Sequence, residues 1–313
     1  SQLLEAMLRT EPMDARLLER AAAAFARSGQ WDRAVARQRE ALIARGVLRG
    51  DGFVVGVHED IDARAGVHRL LAWSQRVGDV RAAERLVVQR AEHPASTTAD
   101  VLLAGDVLLA HGHPGRARYF YRRAQHAGRS GARVAIDPIP GGVATGRALL
   151  GLARSAAALG ETASAVRWLQ RAVRHEPMRR IAQVELARLL QPTDSARSTR
   201  VARSVVAEAV LTTAADRVAH ATALALIGRR AEALARLRQI MAGLEAADGQ
   251  SVAHGEQVTW RLDYAELLLT AGRSRAAKQQ IERVRAMHPQ NVRLQNLVRR
   301  LADPTPANRR RGS

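Results

Sequence analysis

The 313 residues are 47% hydrophobic and only 3% aromatic, contain no cysteine, and carry 49 basic against 30 acidic residues, a formal charge of +19. Without cysteine there is no disulfide framework and no thiolate metal site, and no run approaches the roughly 18 consecutive apolar residues of a membrane-spanning helix. The cations are nearly all arginine, since Lys278 is the lone lysine; their surplus points to an anionic partner or surface. An Ala/Arg-rich, Lys-poor texture also follows from GC-rich codons, although codon bias does not explain the shortage of acids. The start at Ser1 rather than Met reads as a mature or excised segment and leaves targeting open.

Taken in order, the chain reads as helical hairpins. Gln2 to Thr10 has the pattern of a hairpin's second helix, closed by Glu11-Pro12. From Ala15 the first full hairpin sets Ala21, Ala22 and Phe25 on one helix, Gly29 at a turn, and Ala34 and Ala41 on the next. Residues 46–62 interrupt the pattern with Gly-Val-Leu-Arg-Gly-Asp-Gly-Phe-Val-Val, whose turn residues and β-branched run predict a short extended excursion. The second hairpin, from Arg64, places Leu70, Leu71, Gly78, Ala83 and Val87; the third, from Thr98, places Val101, Ala104, Gly105, Leu108, Gly112, Ala117, Tyr121 and Ala124. Gly78 and Gly112 lie 34 residues apart. A second insertion, 128–142, holds Asp137-Pro138-Ile139-Pro140-Gly141-Gly142, a stiff loop incompatible with helix.

The clearest hairpin runs from Gly146 to Pro177, with Leu149, Leu152, Ala153 and Ala156 before the Gly160 turn and Ala165, Leu169 and Ala172 after it. Gly160 and Gly228 are 68 apart, twice the period, so one hairpin between them lacks its glycine. Leu186, Ala187 and Leu190 supply its first helix and Pro192-Thr193-Asp194 its turn, while its second helix, around 201–210, reads as displaced by about three residues. The sixth hairpin, from Ala214, carries Ala221, Leu224, Gly228, Ala233 and Leu237. After a polar insertion at 246–255, the seventh, from Val258, carries Tyr264, Ala265, Leu268, Gly272, Ala277, Ile281 and Pro289. Val292, Leu294, Leu297, Val298 and Leu301 define a last amphipathic helix that covers the final apolar face. The remainder, 304–313, is a basic tail expected to be disordered.

Counted from Gly146, Ala153, Ala165 and Ala172 fall at places eight, twenty and twenty-seven, a spacing that resembles the tetratricopeptide repeat, whose signature is small residues there. The physical cause is clearance: helices approach to about 8–10 Å only where no large side chain stands at the crossing. The expected fold is all-α, an α-solenoid of about seven such hairpins in a right-handed superhelix spanning 1–303. The resemblance implies binding, with first helices lining a concave groove through places two, five, nine and twelve. Place nine gives Asp106, Arg154, Arg188, Thr222 and Glu266, and place two adds Arg147. The groove is thus expected to be basic in the middle, through Arg147, Arg154 and Arg188, with acids toward each side. The asparagine and lysine with which family members clamp a peptide C-terminus are missing at these places.

The sequence carries no catalytic constellation: no Gly-rich loop with a following lysine, no nucleophile elbow, no His-Glu-x-x-His. His111-Gly112-His113 reads as a surface turn rather than a metal pair, because no third ligand stands nearby. His58-Glu59-Asp60-Ile61-Asp62 reads as first-turn carboxylates favouring a helix dipole. The expectation is a non-enzymatic scaffold without cofactor or metal, binding protein partners or an anionic polymer. Its Ala/Arg/Leu texture and uneven linkers look similar to the periplasmic tetratricopeptide arms of bacterial exopolysaccharide exporters, those of the cellulose synthase systems in particular. That likeness puts an envelope secretion or export assembly first, and the periplasm ahead of the cytoplasm. The alternatives are an RNA-binding helical-repeat protein or the sensor region of a transcription regulator. Against the RNA reading, bases stack on aromatics, and the inferred groove places hold no Phe or Tyr.

Overall fold

Small residues recur wherever two helices must cross, and that recurrence builds the molecule. A computed structural model describes residues 7, 10–11, 13–50, 52–54, 61–77, 80–94, 96–130, 140–208, 210–246, 254–287 and 291–302. Among them are fifteen helices and one two-stranded ribbon. The helices are α1 (Ala15–Arg27), α2 (Trp31–Ala44), α3 (Ile61–Val77), α4 (Val80–Glu92), α5 (Thr98–Ala110), α6 (Pro114–Ser130), α7 (Gly141–Ala158) and α8 (Thr162–Ala172). They continue as α9 (Arg179–Leu190), α10 (Ser195–Ala207), α11 (Ala214–Leu226), α12 (Arg230–Ala246), α13 (His254–Thr270), α14 (Ser274–Met287) and α15 (Val292–Ala302). Successive pairs are the hairpins, and the fold is an all-α solenoid of tetratricopeptide-like repeats. No helix among the described residues is long and apolar enough to cross a membrane.

The register holds to the residue. Ala34, Ala83, Ala117, Ala165, Ala233 and Ala277, all at place twenty, have no exposed surface. Gly29, Gly112, Gly160, Gly228 and Gly272 all take positive φ, between 73° and 90°. The amide after each glycine donates to the carbonyl five residues back, from Gln30 to Phe25, His113 to Leu108, Glu161 to Ala156, Arg229 to Leu224 and Arg273 to Leu268, at 2.8–2.9 Å. This bond closes the helix end on the left-handed residue that glycine alone adopts without strain. Gly78 lies outside the described residues, as do 303–313 and nearly all of 1–12 and 55–60.

The hairpin without a glycine departs from expectation. Asp194 caps α10 directly, accepting from the Arg197 amide at 2.9 Å, so the second helix starts one residue sooner. Its buried positions are Ser198, Ala202 and Val205, a displacement of one residue rather than the three expected. Ser198 takes the crossing and donates its hydroxyl to the Ala187 carbonyl at 2.7 Å. Helix also consumes both ends of the loop expected at 128–142: α6 runs to Ser130 and α7 begins at Gly141, after Pro140 as N-cap. Proline cannot continue a helix upstream but presets the backbone for starting one.

The chain divides into two compact units, Ser1–Ala104 and Gly105–Ser313. In the first, Leu17, Leu18, Ala21, Phe25, Ala34 and Ala41 form the core of the α1/α2 hairpin. The residues after α2 form an antiparallel ribbon, β1 (Leu48–Arg49) and β2 (Gly52–Phe53), with Leu48 opposite Phe53. Arg90 of α4 stacks over Phe53 at 5.7 Å, and the His93 Nε2 lies 3.0 Å from the Val54 carbonyl. Arg90 occupies place twenty-seven, where the first, third and fourth hairpins carry Ala41, Ala124 and Ala172. It is 1% exposed and pairs with Asp100 at 3.2 Å, which supplies the compensation that a buried charge requires.

In the second unit Leu149, Leu150, Ala153, Leu169, Ala182 and Leu186 pack one hairpin onto the next. Leu294 and Leu297 of α15 cover Leu262, Ala265 and Ile281. Ala165→Leu or Ala277→Leu should overpack a crossing and cost roughly 1–3 kcal/mol. Arg171→Gln should cost about 0.5 kcal/mol or less. Thermal melts compare the three, and equal small shifts would mean that these alanines do not set the spacing.

Candidate partner-binding face

The first helices of the second unit carry a row of opposite charges that pair from one helix to another. Arg147 and Arg154 stand seven residues apart on α7, about two turns, so both project from one side. The same spacing relates Arg293 and Arg300 on α15. Glu185 with Arg188 on α9, and Asp263 with Glu266 on α13, stand three apart, again on one side of a helix.

The contacts run in sequence along the unit. Arg147 Nη2 is 3.3 Å from Asp106 Oδ2, and the Tyr121 hydroxyl donates to Asp106 Oδ1 at 2.7 Å. Arg154 donates through Nε and Nη2 to Glu185 Oε1, at 2.9 and 2.6 Å. Arg188 reaches Asp263 on α13 at 3.0 Å. Between them in chain order α11 offers only the short Thr222, 6% exposed, at place nine. Arg293 contacts Asp263 at 2.6 Å and Glu266 at 2.8 Å, and Arg300 contacts Glu266 at 2.9 Å.

This arrangement alters the expected electrostatics. The middle of the row is not a free basic centre: each of Arg147, Arg154 and Arg188 already has a carboxylate partner on another first helix. Thr222 is nearly covered, while Asp106 and Glu266 are ladder members rather than flanking acids. Glu185, Asp263, Arg293 and Arg300 are not among the residues that the groove places select, and the register gives Tyr121 only as a residue of the hairpin pattern. Glu185 and Asp263 share place six of their hairpins; a place-nine arginine on the preceding first helix, Arg154, is a signal that finds Glu185, whereas Asp263 is met by Arg188 two hairpins back. The arginines of α15 lie beyond the repeat template.

Burial sets the strength of each rung. Burial would raise the Asp263 carboxyl, yet the Arg188 and Arg293 guanidiniums hold it down at about 2. Glu266 is lowered in the same way, burial opposing and Arg293 dominating. Burial also disfavours the charged forms of Arg154 and Arg293, but Glu185 in one case and Asp263 in the other raise them above the ordinary arginine value. Burial pushes the Tyr121 hydroxyl well up, and the Asp106 charge adds to it. Asp263 is 8% exposed, whereas the Arg147 and Asp106 side chains are 40% and 44% exposed. Asp263 is therefore buried inside the ladder, whereas the outer rungs, Asp106–Arg147 at one end and Glu266–Arg300 at the other, are both partly exposed.

His111 and His113 flank the Gly112 turn, and among the described residues no three His, Asp or Glu side chains gather as a metal site. His58, Glu59 and Asp60 lie outside those residues.

Stacked hairpins bearing a polar ladder on their first helices define a helical-repeat protein of the tetratricopeptide fold. A solved tetratricopeptide repeat protein from Parabacteroides merdae is similar over 92% of this chain and 99% of its own, at 11% identity and a TM-score of 0.50. That likeness is one of fold. PilW, a type IV pilus biogenesis factor, is similar over 91% of this chain and 98% of its own, at 15% identity and a TM-score of 0.39. Pseudomonas aeruginosa PilF is similar over 84% and 99%, at 16% identity and 0.44. No protein-family model and no curated protein matches the chain.

Proposed function

We propose that this protein is a non-catalytic interaction scaffold whose first-helix face in the Gly105–Ser313 unit receives a protein partner through Asp106, Arg147, Arg154, Arg188, Thr222 and Glu266. The observation that carries the reading is the half-exposed Asp106–Arg147 pair at one end of the charge ladder. An exposed ion pair contributes only about 0–1 kcal/mol to folding, so its two groups can exchange partners at little cost. A peptide carboxylate can take Arg147 in bidentate fashion while a basic side chain takes Asp106.

Arg147→Gln should weaken a co-purified partner about tenfold with the melting temperature nearly unchanged, and the loss should shrink at high salt. Arg188→Gln should lower stability as well, because it strips one of two cations from a buried carboxylate. Binding titrations and melts of the two variants separate these outcomes. Unchanged partner affinity for Arg147→Gln would remove this face from the function. A steep salt dependence spread over many arginines, with oligonucleotides as ligand, would favour nucleic acid instead. The narrower assignment, an envelope secretion or exopolysaccharide-export assembly, is supported by the Ala/Arg/Leu texture. Fractionation of the tagged full-length protein tests it, and a wholly cytoplasmic distribution would remove it.

A further inference from the structure

The arginines of the first-helix face are answered by carboxylates; those at one end of the α7/α8 hairpin are not. A cavity of about 380 Å³ opens there, lined by Gly141, Gly142 and Thr145 of α7 and by Arg171, Arg174 and His175 at the end of α8. Arg171 lies 4.8 Å over the Trp168 ring, which holds its guanidinium in place. The nearest carboxylate in sequence, Glu176, is engaged by Arg179 at 2.9 Å. Among the described residues neither Arg171 nor Arg174 has an ion-pair partner.

The opposite wall is the start of an 18-residue helix whose N-cap is Pro140, with no side-chain cap and no acid in its first turn. Gly141 and Gly142 present backbone without side chains, so an anion can approach the first amides closely. Gly146 lets the two walls meet, since a Cβ there would stand 2.9 Å from His175 Cβ.

We propose that this cavity binds a phosphate monoester, its phosphoryl group held between Arg171, Arg174 and the first amides of α7. Donors from two guanidiniums, an imidazole and a helix terminus converge from more directions than a planar carboxylate can use, whereas a tetrahedral phosphoryl group accepts from all of them. The volume exceeds what a bare ion fills and leaves room for the organic part of the ester. This site is separate from the partner face, and its ligand is independent of the scaffold reading.

Calorimetric titration of the full chain with inorganic phosphate and with glycerol phosphate tests the proposal, and vesicles containing phosphatidic acid ask whether the phosphoryl group is carried on a lipid. Glycerol phosphate or the vesicles should bind the wild type and the control Arg200→Gln/Arg203→Gln alike, and at least tenfold more weakly the Arg171→Gln/Arg174→Gln variant. Without ligand, both variants should melt as the wild type does. Should the site variant fold poorly, Gly142→Asp serves in its place: nothing lies within 4 Å of a Cβ there, a first-turn carboxylate suits the helix, and its charge should abolish binding. Equal weakening by the control and site variants, persistent binding by Gly142→Asp, or no binding of any probe to the wild type would overturn the proposal.

Discussion

Gly151→Ala should destabilise the Gly105–Ser313 unit by about 2 kcal/mol, although alanine is the better helix former by about 1 kcal/mol. The reason is Tyr121, 1% exposed, whose ring is wedged between α5 and α7 against two glycines. A Cβ on Gly105 would stand 2.7 Å from the ring, and one on Gly151 would fall inside the ring's van der Waals envelope. The ring cannot swing away, because its hydroxyl is tied to Asp106 at 2.7 Å and the other glycine closes its far face. Overpacking a pinned aromatic belongs at the upper end of roughly 1–3 kcal/mol, and the helix propensity gain recovers only part of it. For a unit of this size the melting temperature should fall by about 4–8 °C. Gly243→Ala is the matched control: it is helical, exposed and has nothing within 4 Å of its Cβ, so it should be neutral or stabilising. If both substitutions stabilise, the Tyr121 wedge is not a tight contact.

Acid should weaken the second unit more through Asp263 than through exposed pairs. The carboxyl sits at about 2 in the folded chain against an ordinary 3.8. A depressed carboxyl contributes stability that is fully present above its unfolded value and is lost as pH falls through the folded one. The unfolded chain binds the extra proton between pH 4 and 2, so in that window stability rises with pH. At 1.36 kcal/mol per unit the contribution is about 2 kcal/mol. Asp263→Asn should remove a similar amount at pH 7, leaving Arg188 and Arg293 facing a neutral amide, and should flatten the acid limb between pH 4 and 2. Glu282→Gln breaks only an exposed pair with Arg285 at 2.9 Å and should change stability by about 0.5 kcal/mol or less. Denaturant titrations at several pH values compare the variants. Parallel pH curves for wild type and Asp263→Asn would show that the Arg188–Asp263–Arg293 contact is solvent-screened.

Repeat architecture is legible in a single sequence because the constraint is local and recurs. Only a small residue fits a helix crossing, and only a left-handed residue closes a helix end with the bond from Arg229 to Leu224 or Arg273 to Leu268. Those requirements reappear in hairpin after hairpin, at a 34-residue period wherever no insertion intervenes, so Ala165, Ala233 and Ala277 announce themselves by their place in the hairpin. The faces of first helices follow from the same register, which is why Asp106, Arg147, Arg154, Arg188 and Glu266 emerge as one set. The second helix of the fifth hairpin is displaced by one residue and not by the three that its composition suggests, because Asp194 serves as both turn and cap, a shortening that composition does not reveal.

Pairing is a different matter. A register says which side of a helix a charge is on, but not how far its side chain reaches or what neutralises it there. Arg188 finds Asp263 across 75 residues because Thr222 on the intervening helix is too short to meet it. Arg90 sits at a position that is apolar in the other hairpins and is tolerated because Asp100 is buried beside it. Arg171 and Arg174 look no different in sequence from Arg147 and Arg154. What separates them is the presence of a carboxylate on the adjoining hairpin in one case and an uncapped helix start in the other. Sequence by itself determined the repeat, its crossings and its polar face, since those depend on residues a fixed distance apart along one chain. Only the tertiary structure decided which charges are spent inside the fold and which remain for a ligand, because that depends on distances between residues the chain keeps far apart.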